Sequence, residues 1–187
     1  LGVDVSHVGM AEGATGHANV HIDDAGENMI VIFPGANEKQ TLNHLKMALG
    51  RAEAGDTLML QNETTLVREA AELARAHGMR VIYSAAPFVA EAARQMLPFC
   101  DLLVLNAVES EQLCQALGVR IEAISVPNIL ITRGAQGASW RVQATGEEIA
   151  VAAFEVTPVD TTGAGDCFIG YVAAALDEGM APKAAME

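Results

Sequence analysis

From residue 57 onward, short apolar runs alternate with stretches of helical pattern, and this alternation narrows the possible folds more than any other feature. Thr57-Leu58-Met59-Leu60-Gln61, Arg80-Val81-Ile82-Tyr83, Leu102-Leu103-Val104-Leu105 and Asn128-Ile129-Leu130-Ile131-Thr132 read as strands. Helical patterns fill the gaps over 65–77, 88–97 and 109–117, the first ending at Gly78 and the last at Gly118. Short apolar strands alternating with helices give an α/β fold, with a mostly parallel sheet covered on both faces. A further helix is expected over 38–53 from Leu42, Leu45, Met47 and Leu49. Residues 138–157 have hairpin texture, a helix follows Gly165, and another begins near Pro182, since proline suits a first helical turn.

The first 32 residues have a different texture. Val3-Asp4-Val5-Ser6-His7-Val8 alternates apolar and polar residues, as a half-exposed strand does. Asn19–Asp23 and Asn28–Phe33 read as two strands joined by a hairpin turn at Asp24-Ala25-Gly26-Glu27, and Pro34-Gly35-Ala36-Asn37 breaks the pattern. We therefore expect a small β unit over 1–33 and a βα core over 34–187. Ligands of such sheets bind beyond the carboxyl ends of the strands, which draws attention to Glu63, Ser84, Asn106 and Thr132.

The run Asp160-Thr161-Thr162-Gly163-Ala164-Gly165-Asp166 opens the helix that follows it. A glycine-rich turn at a helix start can aim several backbone N–H groups at one point, where the helix dipole also favours negative charge. An anion held there lies beside Asp166, and a phosphate next to a carboxylate base suggests phosphate transfer to a hydroxyl. The alternative is a tight turn with Asp166 as an ordinary cap. A dinucleotide fingerprint needs glycine where Phe168 stands, and a Walker loop needs a Gly-Lys pair that the chain lacks.

Three further stretches carry two readings each. Asn106 with Glu109 is a capping box, or an amide near nucleotide phosphates with a carboxylate near a metal-bound water; Mg²⁺ keeps several waters and needs few protein ligands. Thr132-Arg133-Gly134-Ala135-Gln136-Gly137 is a turn between strands, or a nucleotide cradle in which glycines let backbone approach the ligand. Glu63 is a solvated loop acid or a ligand group. His7, His17, His21, His44 and His77 have no ligand spacing, and Trp140 and Tyr83 read as packing residues.

Composition excludes several classes. The net charge of −13 without a basic cluster argues against nucleic acid or anionic membranes as partners. Cys100, Cys114 and Cys167 lack zinc or redox spacing, which suits a reduced cytoplasmic setting with all three thiols in or near the core. No run is long enough to span a bilayer and no signal peptide is visible. The chain starts at Leu1 and stops inside a starting helix, so we expect a piece of a longer protein.

Together these residues resemble the ribokinase-like carbohydrate kinase family. Asp160–Asp166 is similar to its C-terminal signature, Asn106-Ala107-Val108-Glu109 to its Asn-x-x-Glu motif, and Ile131–Gly137 to its nucleotide loop. Glu27–Ile30 with Pro34–Asn37 is similar to the return from its β lid, so the likeness spans nearly the whole chain. The resemblance implies a ribokinase-like three-layer α/β/α sandwich with a small β lid. It also implies an ATP-dependent kinase for a sugar hydroxyl, with ribose the first acceptor and fructose, a deoxy-gluconate or a nucleoside as alternatives; a non-catalytic sugar-binding module that retains the loops is the remaining alternative. Asp166 would then be the base, and Gly163, Ala164 and Gly165 the anion hole. Asn106 and Thr132, Arg133, Gly134, Ala135, Gln136 and Gly137 would contact ATP, with Gly165 at its phosphates. Glu63 and Asp166 would meet the sugar, and Glu109 would position Mg²⁺ through water. Asp160 and the Thr162 carbonyl would bind an activating K⁺. Lids of this family often pair, which implies a homodimer.

Overall fold

The computed structural model describes residues 2–22, 28–157 and 161–187. Its centre is a six-stranded sheet in the order β3 (Thr57–Leu60), β4 (Arg80–Ser84), β5 (Leu102–Asn106), β6 (Asn128–Thr132), β7 (Ala138–Val142), β8 (Glu147–Val151). The first four strands are parallel and the last two antiparallel. Each parallel step is bridged by a helix: α2 (Val67–Ala76), α3 (Ala90–Met96) and α4 (Ala107–Leu117).

Side-chain alternation along the strands builds the layers. Val81, Tyr83, Leu103, Leu105, Ile129 and Ile131 point to one face, where they pack with Ala71 and Ala74 of α2, Ala93 of α3 and Leu113 of α4. Ile82, Leu102, Val104 and Leu130 point to the other. There they meet Ile169, Val172 and Ala173 of α5 (Ala164–Asp177) and Ala185 and Met186 of α6 (Pro182–Met186). The result is the expected three-layer α/β/α sandwich, and the continuously apolar strands are those buried on both sides.

The N-terminal unit is a separate two-stranded antiparallel sheet, β1 (His17–Ile22) with β2 (Asn28–Phe33). The expected turn at Asp24–Glu27 lies outside the described residues. Three expectations need correction. Val3–Val8 is not a strand: the Asp4 side chain accepts from the Ser6 N–H at 2.9 Å and Val8 N–H bonds Val5 O at 3.0 Å. Local turn bonds have displaced the extended form. The helix expected over 38–53 divides into a 3₁₀ turn at Gly35–Lys39 and α1 (Leu42–Leu49). The break comes from Thr41, whose extended backbone and hydroxyl, accepting from His44 N–H at 3.2 Å, cap α1. Cys167 is exposed rather than core, while Cys100 is buried and Cys114 half-buried.

Candidate functional site

The start of α5 is set by Gly163, whose φ of +71° forms the N-cap, a conformation that strains any other L residue. A Cβ added at Gly163 or Gly165 would meet nothing within 4 Å, so the turn opens to solvent. The Ala164 N–H donates to Thr161 O at 3.1 Å, tying the turn together, and Cys167 N–H donates to Gly163 O at 2.9 Å as α5 begins. Asp166 is exposed in this first turn.

Asp166 faces a cleft of about 210 Å³ with Gln61, at the end of β3, and Ser84, at the end of β4. Ile82 and Ile169 line its apolar floor. Gln61 Nε2 donates to Asp166 Oδ1 at 3.0 Å. The base candidate and the carboxyl ends of two adjacent parallel strands thus meet where ligands of such sheets bind.

A second cleft, about 350 Å³, lies between the small sheet and the core. Glu63 and Thr64 line it from the core side, and His17, Ile32, Phe33 and Asn37 from the other. The His17 and Phe33 rings meet with their centroids 5.2 Å apart, tilted by 38°. Thr64 Oγ1 and Thr65 N–H both donate to Asn37 O, at 2.9 and 3.4 Å, fastening the base of the small sheet to the core. Glu63 and Asp166 therefore line different clefts, joined by the segment 61–63.

Asn106 and Thr132 pair on neighbouring strands, farther along the same sheet edge. Asn106 Oδ1 accepts from Glu109 N–H, and Glu109 Oε2 from Asn106 N–H, both at 2.8 Å. This is a complete capping box. It occupies one Glu109 oxygen and leaves the carboxylate half-buried at the edge, which fits a metal held through water rather than directly. The 132–137 segment is a one-turn 3₁₀ connection between β6 and β7. Arg133 Nη2 donates to Ser139 Oγ at 3.1 Å, and Gly134, Ala135 and Gln136 are exposed. Gly137 has φ +86°, and a Cβ there would fall 2.0 Å from Val151 O, so the turn demands glycine for its own packing. Both local readings of these stretches are therefore realised as structure, and both leave surface for a ligand.

Asp160 lies outside the described residues; Thr162 immediately precedes the N-cap glycine. Among the described residues no group of three or more His, Cys, Asp or Glu could hold a metal, and no helix is long and apolar enough to cross a membrane.

Sequence reasoning missed the segment that joins the clefts. Asn62 N–H donates to Ala86 O at 2.9 Å, and its Nδ2 to Ala85 O and Pro87 O at 3.2 and 3.0 Å. Its Oδ1 accepts from the fully buried Tyr83 hydroxyl at 2.6 Å. Burial pushes the Tyr83 hydroxyl pKa up to about 12, against the opposing effect of the Asn62 bond. The only available signal was position: polar residues directly after an apolar strand.

Residues 1–187 match the pfkB family carbohydrate kinase. The chain is 31% identical over 202 residues to a ribokinase of Schizosaccharomyces pombe, covering 100% of this chain and 63% of that protein. It is 31% identical over 172 residues to a deoxyribokinase of Salmonella typhi, covering 86% and 56%. The structure of Arabidopsis thaliana ribokinase complexed with ribose and ATP superposes with a TM-score of 0.71 at 25% identity, covering 92% of this chain and 59% of that one. The chain thus spans about three-fifths of the length of these relatives.

Proposed function

The chain belongs to the pfkB family of carbohydrate kinases, and on that premise we propose that the full-length protein moves the γ-phosphate of ATP to a hydroxyl of ribose. The observation that carries this is Asp166, exposed at a helix N-terminus beside open glycines and facing a cleft at the strand ends. In a loose phosphoryl transfer, protein groups mainly position reactants and stabilise charge. Asp166 takes the acceptor's proton as the bond to phosphorus forms. The turn 163–165 offers N–H groups to the charge on the transferred phosphoryl.

Residues 1–33 act as a lid over the sugar and 34–187 as the catalytic core. Glu63, in the cleft under the lid, contacts the sugar. Asn106 and the 132–137 loop contact the nucleotide. Glu109 orients water on Mg²⁺, which neutralises phosphate charge when bound. Asp160 and the Thr162 carbonyl hold an activating K⁺. Lid closure excludes water and limits ATP hydrolysis. Pairing of two lids and a cytoplasmic setting belong to the same proposal; the exposed apolar residues of β2 support the first.

Deoxyribose is the second acceptor to consider, because the deoxyribokinase relative is as similar as the ribokinase. The test is ADP release from the full-length protein with ribose, 2-deoxyribose, fructose, a deoxy-gluconate and nucleosides. The highest kcat/KM is expected with ribose. A higher value for another acceptor reassigns the substrate, and sugar binding without ADP release overturns the enzymatic reading.

A further inference from the structure

We propose that Gln61 is a positioning residue for Asp166: its amide holds Oδ1 and so turns Oδ2 toward the acceptor hydroxyl. This rests on the kinase reading above and adds a group to it. The contact is a single hydrogen bond, Gln61 Nε2 to Asp166 Oδ1 at 3.0 Å, between residues 105 apart in sequence. It runs from the end of β3 to the first turn of α5 and closes one side of the cleft that both residues line.

What makes the contact directional is the anchoring of Gln61's neighbours. Leu60 is in register with Tyr83 across β3 and β4. Asn62 is bonded by its N–H and both ends of its side chain to Tyr83 and to Ala85, Ala86 and Pro87. The chain on both sides of Gln61 is thereby fixed to the end of β4, and the side chain is aimed at α5. Asp166, by contrast, is exposed, and the terminal torsion of an aspartate is broad and nearly two-fold. Without a partner its two oxygens exchange places and sweep a wide arc. With Oδ1 held, Oδ2 keeps one direction, and a reacting group kept in a near-attack position is a large source of rate. A neutral amide suits this task. A lysine or arginine would set a full positive charge beside a group that has to take up a proton.

The test is a double-mutant cycle in the full-length protein, measured as kcat and KM for ribose and ATP, with thermal melting as the check on folding. Gln61→Met keeps the volume and removes the donor. It should lower kcat about 10- to 100-fold, the order that a displaced reacting group costs, with KM for ATP within about two-fold and melting unchanged. Gln61→Glu keeps the shape but sets carboxylate against carboxylate, and should lower kcat further. Residual rates, read with labelled ATP, should show no added loss when Gln61→Met is combined with Asp166→Asn, because the group it orients is gone. A Gln61→Met kcat close to the parent's, or a loss that multiplies in full with that of Asp166→Asn, overturns the positioning role while leaving the kinase reading intact. Normal turnover in Asp166→Asn alone overturns both.

Discussion

Strand β2 of the small N-terminal sheet is as apolar as β6 of the central sheet, yet the two end in opposite states. In β6, Ile129 and Leu130 are both fully buried although they point to opposite faces. In β2, Ile30, Val31, Ile32 and Phe33 also point alternately, and all four remain about half exposed. Apolar sequence therefore does not create a core by itself; a strand is buried when both faces meet other elements. A lone two-stranded sheet is marginal in water. Here it is held at its base, where Thr64 and Thr65 bond Asn37 O. The contrast divides the labour: the core sheet carries the buried contacts, and the small sheet, whose β2 side chains stay half exposed, is the element proposed above as the lid.

The contrast breaks first in the core. Ile129→Ala removes a fully buried side chain from β6 and should cost about 2–5 kcal/mol, enough to consume much of the stability of an ordinary domain; urea unfolding checks it. Alkaline pH should act on the same layer. Burial raises the Tyr83 hydroxyl from its ordinary value of 10.0 to about 12 and the Cys100 thiol from 9.0 to about 12. The folded chain thus holds these protons more tightly than the unfolded one. Their contribution is complete below about pH 9 and is lost as pH climbs from there through about 12. Tyr83→Phe and Cys100→Ala should flatten that fall in melting temperature. A smaller effect is expected at the helix that follows the small sheet: Thr41→Ala removes the N-cap of α1 and should cost about 1 kcal/mol. The smallest effect sharpens the comparison. Ile30→Thr in β2 should change stability by no more than about 0.5 kcal/mol; a loss as large as that of Ile129→Ala would mean the two sheets are not energetically distinct.

The core was legible because burial on two faces writes itself as continuous apolar runs. The strands at 57–60, 80–84, 102–106 and 128–132 and the helices between them follow from that texture. The left-handed glycines at the ends of α4 and the start of α5 were equally visible, because few other residues suit that backbone. Val3–Val8 misled because alternation marks a strand only when a neighbour exists to bond it. Cys167 misled because a small apolar residue next to a helix start carries no sign of which way it faces. At the site, Asp166, Asn106 and Glu109 stood out through motif spacing. Gln61 and Asn62 did not, since their partners lie 105 and 21 residues away, and nothing local to a polar pair after a strand announces a distant carboxylate or a buried hydroxyl.

The proposed chemistry rests on the Asp166 carboxylate. The most direct measurement is transfer of labelled γ-phosphate from ATP to ribose by the full-length Asp166→Asn protein, alongside calorimetric binding of both ligands. Affinity for sugar and ATP should persist while transfer falls by about 10²–10⁴-fold, the range a general base contributes. Transfer at the parent rate, with both ligands bound, would contradict the assignment of Asp166 as the base.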